Sequence, residues 1–474
     1  MISNRVRGVV GALVLSLTVL LAPGTAVAVL PAGFVDQAVF TGLVQPTNVA
    51  FAPDGRVFVA EKRGTIRVYD NLADTTPTTF ADLRTNVYDY ADLGLLGLAL
   101  PPGFPITNPY VYVSYTYDAP IGGTAPVYRD TCAVRDNCVV SGRLSRLRAS
   151  GNVAVGEQVL INDWCQQSTT HSVGDLRFGP DGALYASGGE GAGYSQVDYG
   201  QLGTPSNPCG DPPAPVGGSM TAPTAQGGSL RAQSLRSTGR ARLNGTVIRV
   251  NPATGAGLPD NPLAASTDPN ARRIVAYGLR NPYRFTLRPG TSDLWIGDVG
   301  AGLWEEVNRV VLPTASPVRN HGWPCYEGPG RYAPFDAANL NLCETLYAGG
   351  PAAVASPYYA YRHDQVIKAG DGCPPNGRGA ISGMTFFPTT GTNYPAKFKG
   401  AFLFADVTRQ CVWGVRPGAS GAPNFGYIEP LGSTVGLPVD LAVGPDCNLW
   451  YVSLTSASVR RYVYKTGITG TCAV

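Results

Sequence analysis

Phe51-Ala-Pro-Asp-Gly-Arg-Val-Phe-Val-Ala60 is an apolar end, a turn and a strand in ten residues, and the chain repeats it. It returns as Phe178-Gly-Pro-Asp-Gly-Ala-Leu-Tyr-Ala-Ser187 and as Val443-Gly-Pro-Asp-Cys-Asn-Leu-Trp-Tyr-Val452, and in weaker form as Leu287-Arg-Pro-Gly-Thr-Ser-Asp-Leu-Trp-Ile296. Proline presets the backbone for a turn, aspartate bonds back to the chain, and glycine takes the positive φ, so each copy predicts a hairpin followed by a β-strand. Other runs, such as Tyr110-Val-Tyr-Val-Ser-Tyr-Thr-Tyr117, Thr246-Val-Ile-Arg-Val250 and Ala401-Phe-Leu-Phe-Ala405, are rich in β-branched and aromatic residues and bounded by Gly, Pro or Asn. No amphipathic helix of three turns stands out. Irregularly spaced strand units over so long a chain predict an all-β propeller, in which blades packed radially leave only short edges. A β-helix or two sandwiches would also satisfy the pattern.

Composition agrees with short strands and tight turns. The 474 residues include 59 Gly and 40 Pro with only 15% charged side chains, while 44% hydrophobic residues can fill a large core. Thirty-six basic residues, Arg5 and Arg7 among them, face 33 acidic ones, with no long like-charge run. That balance gives no electrostatic case for nucleic acid or for an anionic membrane surface.

Residues 1–28 have the three parts of a secretory signal. Arg5 and Arg7 are the positive region, an apolar run extends from Gly8 to Ala22, and Ala26-Val27-Ala28 is the small-residue site, so cleavage is expected after Ala28. The apolar run is shorter than the roughly 20 residues that cross a bilayer, which argues against a membrane anchor. The expected mature unit is residues 29–474, secreted and not membrane-inserted, with one long Gly/Pro/Ser-rich inserted loop over 200–238.

All ten cysteines lie beyond residue 28, and an even count in an exported chain reads as disulfides. Local spacing favours Cys132 with Cys138, Cys165 with Cys209 and Cys325 with Cys343. There is no C-x-x-C, and the three histidines are scattered, which disfavours structural zinc and thioredoxin-type chemistry. Phosphate-binding and dinucleotide-binding glycine loops and the G-x-S-x-G elbow are also absent.

Two segments are polar for their surroundings. One is Thr169-Thr-His171-Ser-Val-Gly-Asp175; the other is Tyr277-Gly-Leu-Arg280-Asn281-Pro282, followed by Trp295-Ile-Gly-Asp298-Val-Gly300 and Glu305-Glu306-Val-Asn308. By themselves they leave alternatives open. His171 reads as a base or as a bonded turn residue, Arg280-Asn281-Pro282 as a site or a locked turn, and Asp298, Glu305 and Glu306 as a solvated loop or a calcium site.

The order of these motifs is more specific than any one of them. Leu43-Val-Gln-Pro-Thr-Asn-Val-Ala-Phe-Ala-Pro-Asp-Gly55, Gly94-Leu-Leu-Gly-Leu-Ala99, His171-Ser-Val-Gly174, Gly278-Leu-Arg-Asn-Pro282, Gly297-Asp-Val-Gly300, Glu305-Glu-Val-Asn308 and His321-Gly-Trp-Pro324 resemble, in sequence order, the glucose/sorbosone dehydrogenase family. That family comprises soluble pyrroloquinoline-quinone-dependent aldose dehydrogenases and their hedgehog-interacting-protein-like relatives. The resemblance implies a six-bladed β-propeller of four-stranded antiparallel blades. It implies oxidation of a small-molecule sugar at its anomeric carbon, with His171 as general base and hydride passing to the quinone; the electron acceptor beyond the quinone is left open. It further implies that Arg280 and Asn281 contact the quinone oxygens, that the backbone carbonyls of Gly300 and Ala301 help hold calcium, and that Arg409 takes the place of a cofactor-binding lysine.

The chain departs from the family's pattern at three places. Asp92, which the resemblance places among the cofactor-binding residues, stands where many family enzymes have glutamine, Thr170 replaces an acidic or other polar neighbour of the base, and Leu437-Pro-Val-Asp440 replaces an arginine pair that holds the cofactor's carboxylates. The alternative to a dehydrogenase is therefore a non-catalytic propeller that binds carbohydrate or a protein partner. Calcium-dependent lactone or ester hydrolysis is disfavoured, because Asp298, Glu305, Glu306 and Asn308 are close in sequence instead of spread over blades.

Overall fold

The computed structural model describes residues 29–131, 138–193, 209–210, 227–237, 239–312, 318–391 and 394–464. The signal-like segment, Cys132 and most of the 200–238 stretch lie outside the described residues.

Six antiparallel sheets form a ring, the six-bladed propeller that the motif order implied. Their innermost strands are, in chain order, Pro46–Phe51, Leu95–Ala99, Val173–Phe178, Arg284–Leu287, Ile381–Phe386 and Pro438–Val443, which define blades 1 to 6. Each packs beside the innermost strand of the next blade, and that of blade 6 returns to blade 1. Blade 3 departs from four strands: Arg319–Asn320 adds to it as a fifth, parallel strand. The outer strand of blade 6 is Phe34–Phe40, paired with Ser458–Tyr464, so the beginning and the end of the described chain complete one sheet. Asp36 clasps that joint, accepting from the Tyr451 hydroxyl at 2.9 Å and from Arg460 Nε at 3.0 Å.

The Pro-Asp-Gly units are the turns from the first to the second strand of blades 1, 3 and 6. In each, an aspartate oxygen accepts the N–H two residues on: Asp54 from Arg56 at 3.3 Å, Asp181 from Ala183 at 3.1 Å and Asp446 from Asn448 at 3.3 Å. Gly55 and Gly182 take φ of +96° and +74°, and Cys447, the departure from glycine, is held in the same region at +59°. In the weaker blade 4 copy, Thr291 replaces the aspartate, its Oγ1 accepting from Asp293 N at 3.1 Å. These turns occupy one face of the ring, so the residues that lead into the inner strands gather on the other.

Arg284 joins the ring across its axis. With 0% exposure, it donates from Nε to Val439 O of blade 6 at 2.9 Å, from Nη1 to Leu96 O of blade 2 at 2.7 Å, and from Nη2 to Thr47 O of blade 1 at 2.9 Å. Beside it Arg177 bridges Asp175 at 3.0 Å and Asp440 at 2.9 Å. Three blades are thus tied to blade 4 through a buried cation whose hydrogen-bonding capacity is well used, as an ion out of water requires.

Disulfides join Cys165 to Cys209 and Cys325 to Cys343, as local spacing suggested, and also Cys373 to Cys411, which it did not single out. Cys138 and Cys447 are disulfide-bonded as well; the Cys132 to Cys138 pairing lies outside the described residues. Within the expected inserted loop, Gly227–Arg236 forms 3-10 turns that bury Leu230 and Ala232. No described helix is long and apolar enough to cross a membrane.

Candidate functional site

His171 precedes the inner strand of blade 3, Arg280 and Asn281 precede that of blade 4, and Asp92 precedes that of blade 2, so the topology brings all four to one mouth. Joining them are residues that leave the second strands, Gly189 and Glu190 in blade 3 and Asp298 to Ala301 in blade 4.

His171 is nearly buried and holds a φ of +55°, a conformation that L-residues adopt at a cost of roughly 1–2 kcal/mol. The backbone around it fixes this geometry. Gly191 N donates to His171 O at 3.0 Å and Gly189 N to Ser172 O at 2.8 Å. A side chain at Gly189 would place its Cβ 2.4 Å from the His171 carbonyl oxygen, so the close approach requires glycine. The result is a pair that sequence reasoning missed: His171 Nδ1 lies 2.5 Å from Oε1 of Glu190, a carboxylate with 0% exposure. A carboxylate only accepts, so Nδ1 carries a proton, and in the neutral ring Nε2 holds the lone pair. Glu190 also links His171 to Arg280, because its N–H donates to Arg280 O at 2.8 Å. Asn244, part of an Asn-Gly-Thr sequon, is buried here and donates from Nδ2 to Glu190 O and Cys165 O at 3.1 and 2.8 Å.

Arg280 and Asn281 turn around Asp298, whose carboxylate accepts their backbone N–H groups at 3.0 and 2.7 Å. The Arg280 guanidinium donates from Nη1 to Val299 O at 3.0 Å and Gly300 O at 2.7 Å, with its Cζ 5.5 Å from the centre of the Trp323 ring. Asp92 is exposed to the solvent of the mouth, yet the walls around it raise its carboxyl pKa against the opposing pull of His171, Lys62 and Arg280.

Asp298, Glu305 and Glu306 are neither a solvated loop nor a metal cluster. They are buried strand residues, in Asp293–Asp298 and Trp304–Val311, and no group of three or more His, Cys, Asp or Glu among the described residues is placed to hold a metal. Burial raises the Asp298 carboxyl well above its ordinary range and lifts Glu305 to about 7, even though His363 Nε2 at 2.8 Å and Ile381 N at 2.8 Å favour its charged form. A raised folded-state value means that the native state holds this proton more tightly than the unfolded chain does. Stability from Glu305 is then fullest below about 4.5 and is lost as pH rises towards about 7. Glu305's contribution to the unfolding free energy should fall across that window by about 3 kcal/mol, and Glu305→Gln should flatten the profile, as denaturant titrations at several pH values would show. An unchanged profile in the variant would refute the assignment.

Arg409 is placed differently from the other site residues. Its guanidinium has no exposed side-chain surface and donates to Gln365 O, Arg362 O and His363 O at 2.8, 2.7 and 3.2 Å, which pins the 362–365 loop.

The described residues do not fit pyrroloquinoline quinone with calcium. Three carboxylates need cationic partners, yet Arg280 is engaged by carbonyls, Lys62 pairs with Asp89, Arg231 donates to Gly191 O at 3.3 Å, and Arg409 is interior. The Gly300 carbonyl expected to face calcium already accepts from a cation.

Comparison with known proteins agrees on the fold. The glucose/sorbosone dehydrogenase family profile matches residues 43–203 and 225–366. The HIPL2 protein of Arabidopsis thaliana is 22% identical over 449 residues, which cover 89% of this chain and 58% of that protein. The Hedgehog-interacting protein of Mus musculus is 29% identical over 164 residues, 33% of this chain and 22% of its own length. The chain thus spans little more than half of the first of these relatives. Among solved structures, a putative oxidoreductase (glucose dehydrogenase) of Thermus thermophilus superposes with a TM-score of 0.63 at 24% identity, over 91% of this chain and 100% of that one. The PQQ-bound aldose sugar dehydrogenase of Streptomyces coelicolor gives 0.57 at 18% identity, over 92% and 100%.

Proposed function

Because the chain belongs to the glucose/sorbosone dehydrogenase family, we propose that it is an exported sugar oxidoreductase in which His171 takes the proton of the substrate hydroxyl. The observation that carries this reading is the buried His171–Glu190 pair at the mouth. A carboxylate on Nδ1 fixes the tautomer, orients the ring and stabilises the imidazolium that forms when Nε2 accepts a proton.

Oxidation of an aldose at its anomeric carbon to the lactone releases one proton from the hydroxyl and one hydride from carbon. His171 receives the proton, and Arg280, fixed by its two carbonyls, places a positive charge where the alkoxide develops. Asp92 offers acceptor oxygens to sugar hydroxyls, and a neutral sugar, unlike a tricarboxylate, needs no cation beyond Arg280. The hydride needs a two-electron acceptor: in the enzymes that the sequence resembles this is pyrroloquinoline quinone, which the described residues of this chain do not fit, so here the hydride is assigned to an exogenous quinone or dye. Three disulfides among the described residues support an oxidising compartment.

The test combines calorimetric titration with a panel of aldoses and dye-linked oxidation with and without added quinone. Sugar binding with turnover is expected, with His171→Ala retaining binding and losing turnover about 10²–10⁴-fold. Absence of both binding and turnover would overturn the proposal. The engaged cations favour a second reading, a carbohydrate-binding propeller without turnover. It predicts sugar binding that His171→Ala leaves intact and no dye reduction under any condition.

A further inference from the structure

The link from Asp298 to the strand Trp304–Val311 contains two successive peptide units with the same arrangement. In the first, Val299 O accepts from Arg280 Nη1 at 3.0 Å while Gly300 N donates to Glu305 Oε1 at 3.3 Å. In the second, Gly300 O accepts from the same Nη1 at 2.7 Å while Ala301 N donates to Glu327 Oε1 at 2.8 Å. The N–H and C=O of a trans peptide point in opposite directions. Two carboxylates behind the loop therefore aim two carbonyl oxygens at one point in the mouth. Glu327 strengthens the hold by accepting from Gly302 N and Leu303 N as well, at 2.7 and 3.1 Å. Gly300 admits no side chain, since a Cβ would lie 1.6 Å from Trp304 O.

Convergent carbonyls whose peptide N–H groups are held from behind by carboxyl oxygens are a seat for a hard cation. We propose that Arg280 is the resident cation of this seat, so that Gly300 O, one of the two carbonyls that the family resemblance gives to calcium, is engaged from within the chain and the seat takes no divalent ion. A calcium ion coordinates carbonyl oxygens at about 2.3–2.6 Å, the space that Nη1 occupies. A guanidinium stays charged at any physiological pH, so this seat is filled whatever the free calcium concentration. Glu327 is a positioning residue: it touches no ligand and acts by orienting the loop. The inference concerns the seat alone and stands whether or not the chain turns over a sugar.

The experiment uses the full chain after chelator treatment, titrated with calcium by calorimetry and thermal unfolding, and with terbium for emission sensitised by tryptophan. The wild type is expected to bind neither ion saturably and to keep its thermal midpoint with calcium or chelator. Arg280→Ala should gain saturable calcium binding, sensitised terbium emission and a calcium-dependent rise in thermal midpoint. Glu327→Gln in that background should weaken calcium binding at least about tenfold, the usual scale for groups that orient metal ligands. Stoichiometric calcium binding by the wild type that Glu327→Gln abolishes would overturn the proposal, as would a folded Arg280→Ala variant that gains no cation. If Arg280→Ala does not fold, Arg280→Ser is read in the same way, and the wild-type titration still decides whether the seat takes calcium.

Discussion

Arg284→Met should destabilise the propeller by about 3–5 kcal/mol, the cost of removing one partner from a buried ionic network. The substitution keeps much of the side-chain volume and removes only the hydrogen-bonding head. Val439 O, Leu96 O and Thr47 O, on three different blades, would lose their donor in a region that water does not reach. Asp440 suffers too, because burial already raises its pKa and Arg284 is one of the two cations that oppose the shift. Arg284→Lys supplies charge at a single point in place of a three-way fork and should recover only part of the loss. Denaturant unfolding of the three proteins checks this order, and a methionine variant within about 1 kcal/mol of wild type would show that the axial bonds do not hold the ring.

If His171 is the base proposed above, Glu190→Gln is expected to lower turnover about 10²–10⁴-fold with little change in KM, since Glu190 would support the base without meeting the substrate. An amide can turn its NH₂ group towards His171 Nδ1, which leaves the proton on Nε2, the nitrogen that has to accept. Even with its oxygen turned inward, the amide lacks the charge that stabilises an imidazolium. The measurement is dye-linked oxidation of whichever aldose the calorimetric panel identifies, with circular dichroism to confirm folding. Wild-type turnover in the variant would remove the pair from the mechanism.

Much of this molecule could be read from local chemistry. Pro-Asp-Gly turns marked blades 1, 3 and 6, and the Pro-Gly-Thr copy marked blade 4, because each turn is built by residues three or four apart. Blades 2 and 5 were not countable in this way: their first and second strands are joined through 100–109 and 387–401, which lack the signature. The blade number came from the order of motifs. His171 stood out as a polar residue before a strand, whereas Glu190 did not, since the pair exists only once the hairpin of blade 3 returns the chain to its starting edge. Glu190 within Gly188-Gly-Glu-Gly191 was the available signal, an acidic residue in a glycine run with no turn to explain it. Glu305 and Glu306 looked like loop charges because nothing local reveals that His363 and Ile381 close over the first and Gly328 over the second. Arg284 looked like an ordinary strand residue, its three acceptors lying 155, 188 and 237 positions away.

The clasp between Phe34–Phe40 and Ser458–Tyr464 also sets a schedule for folding. Asp36 and Arg460 are 424 residues apart, so the last blade cannot be completed until nearly the whole chain has been synthesised, and its first strand must wait through the making of five blades. The entropy of so long a closure rises by only about 0.6 kcal/mol for each doubling of length, so the burden falls on rate more than on stability. During that wait an unpaired edge strand is open to the wrong partner, and a chaperone that shields it would act on the earliest-made strand for the sake of the latest.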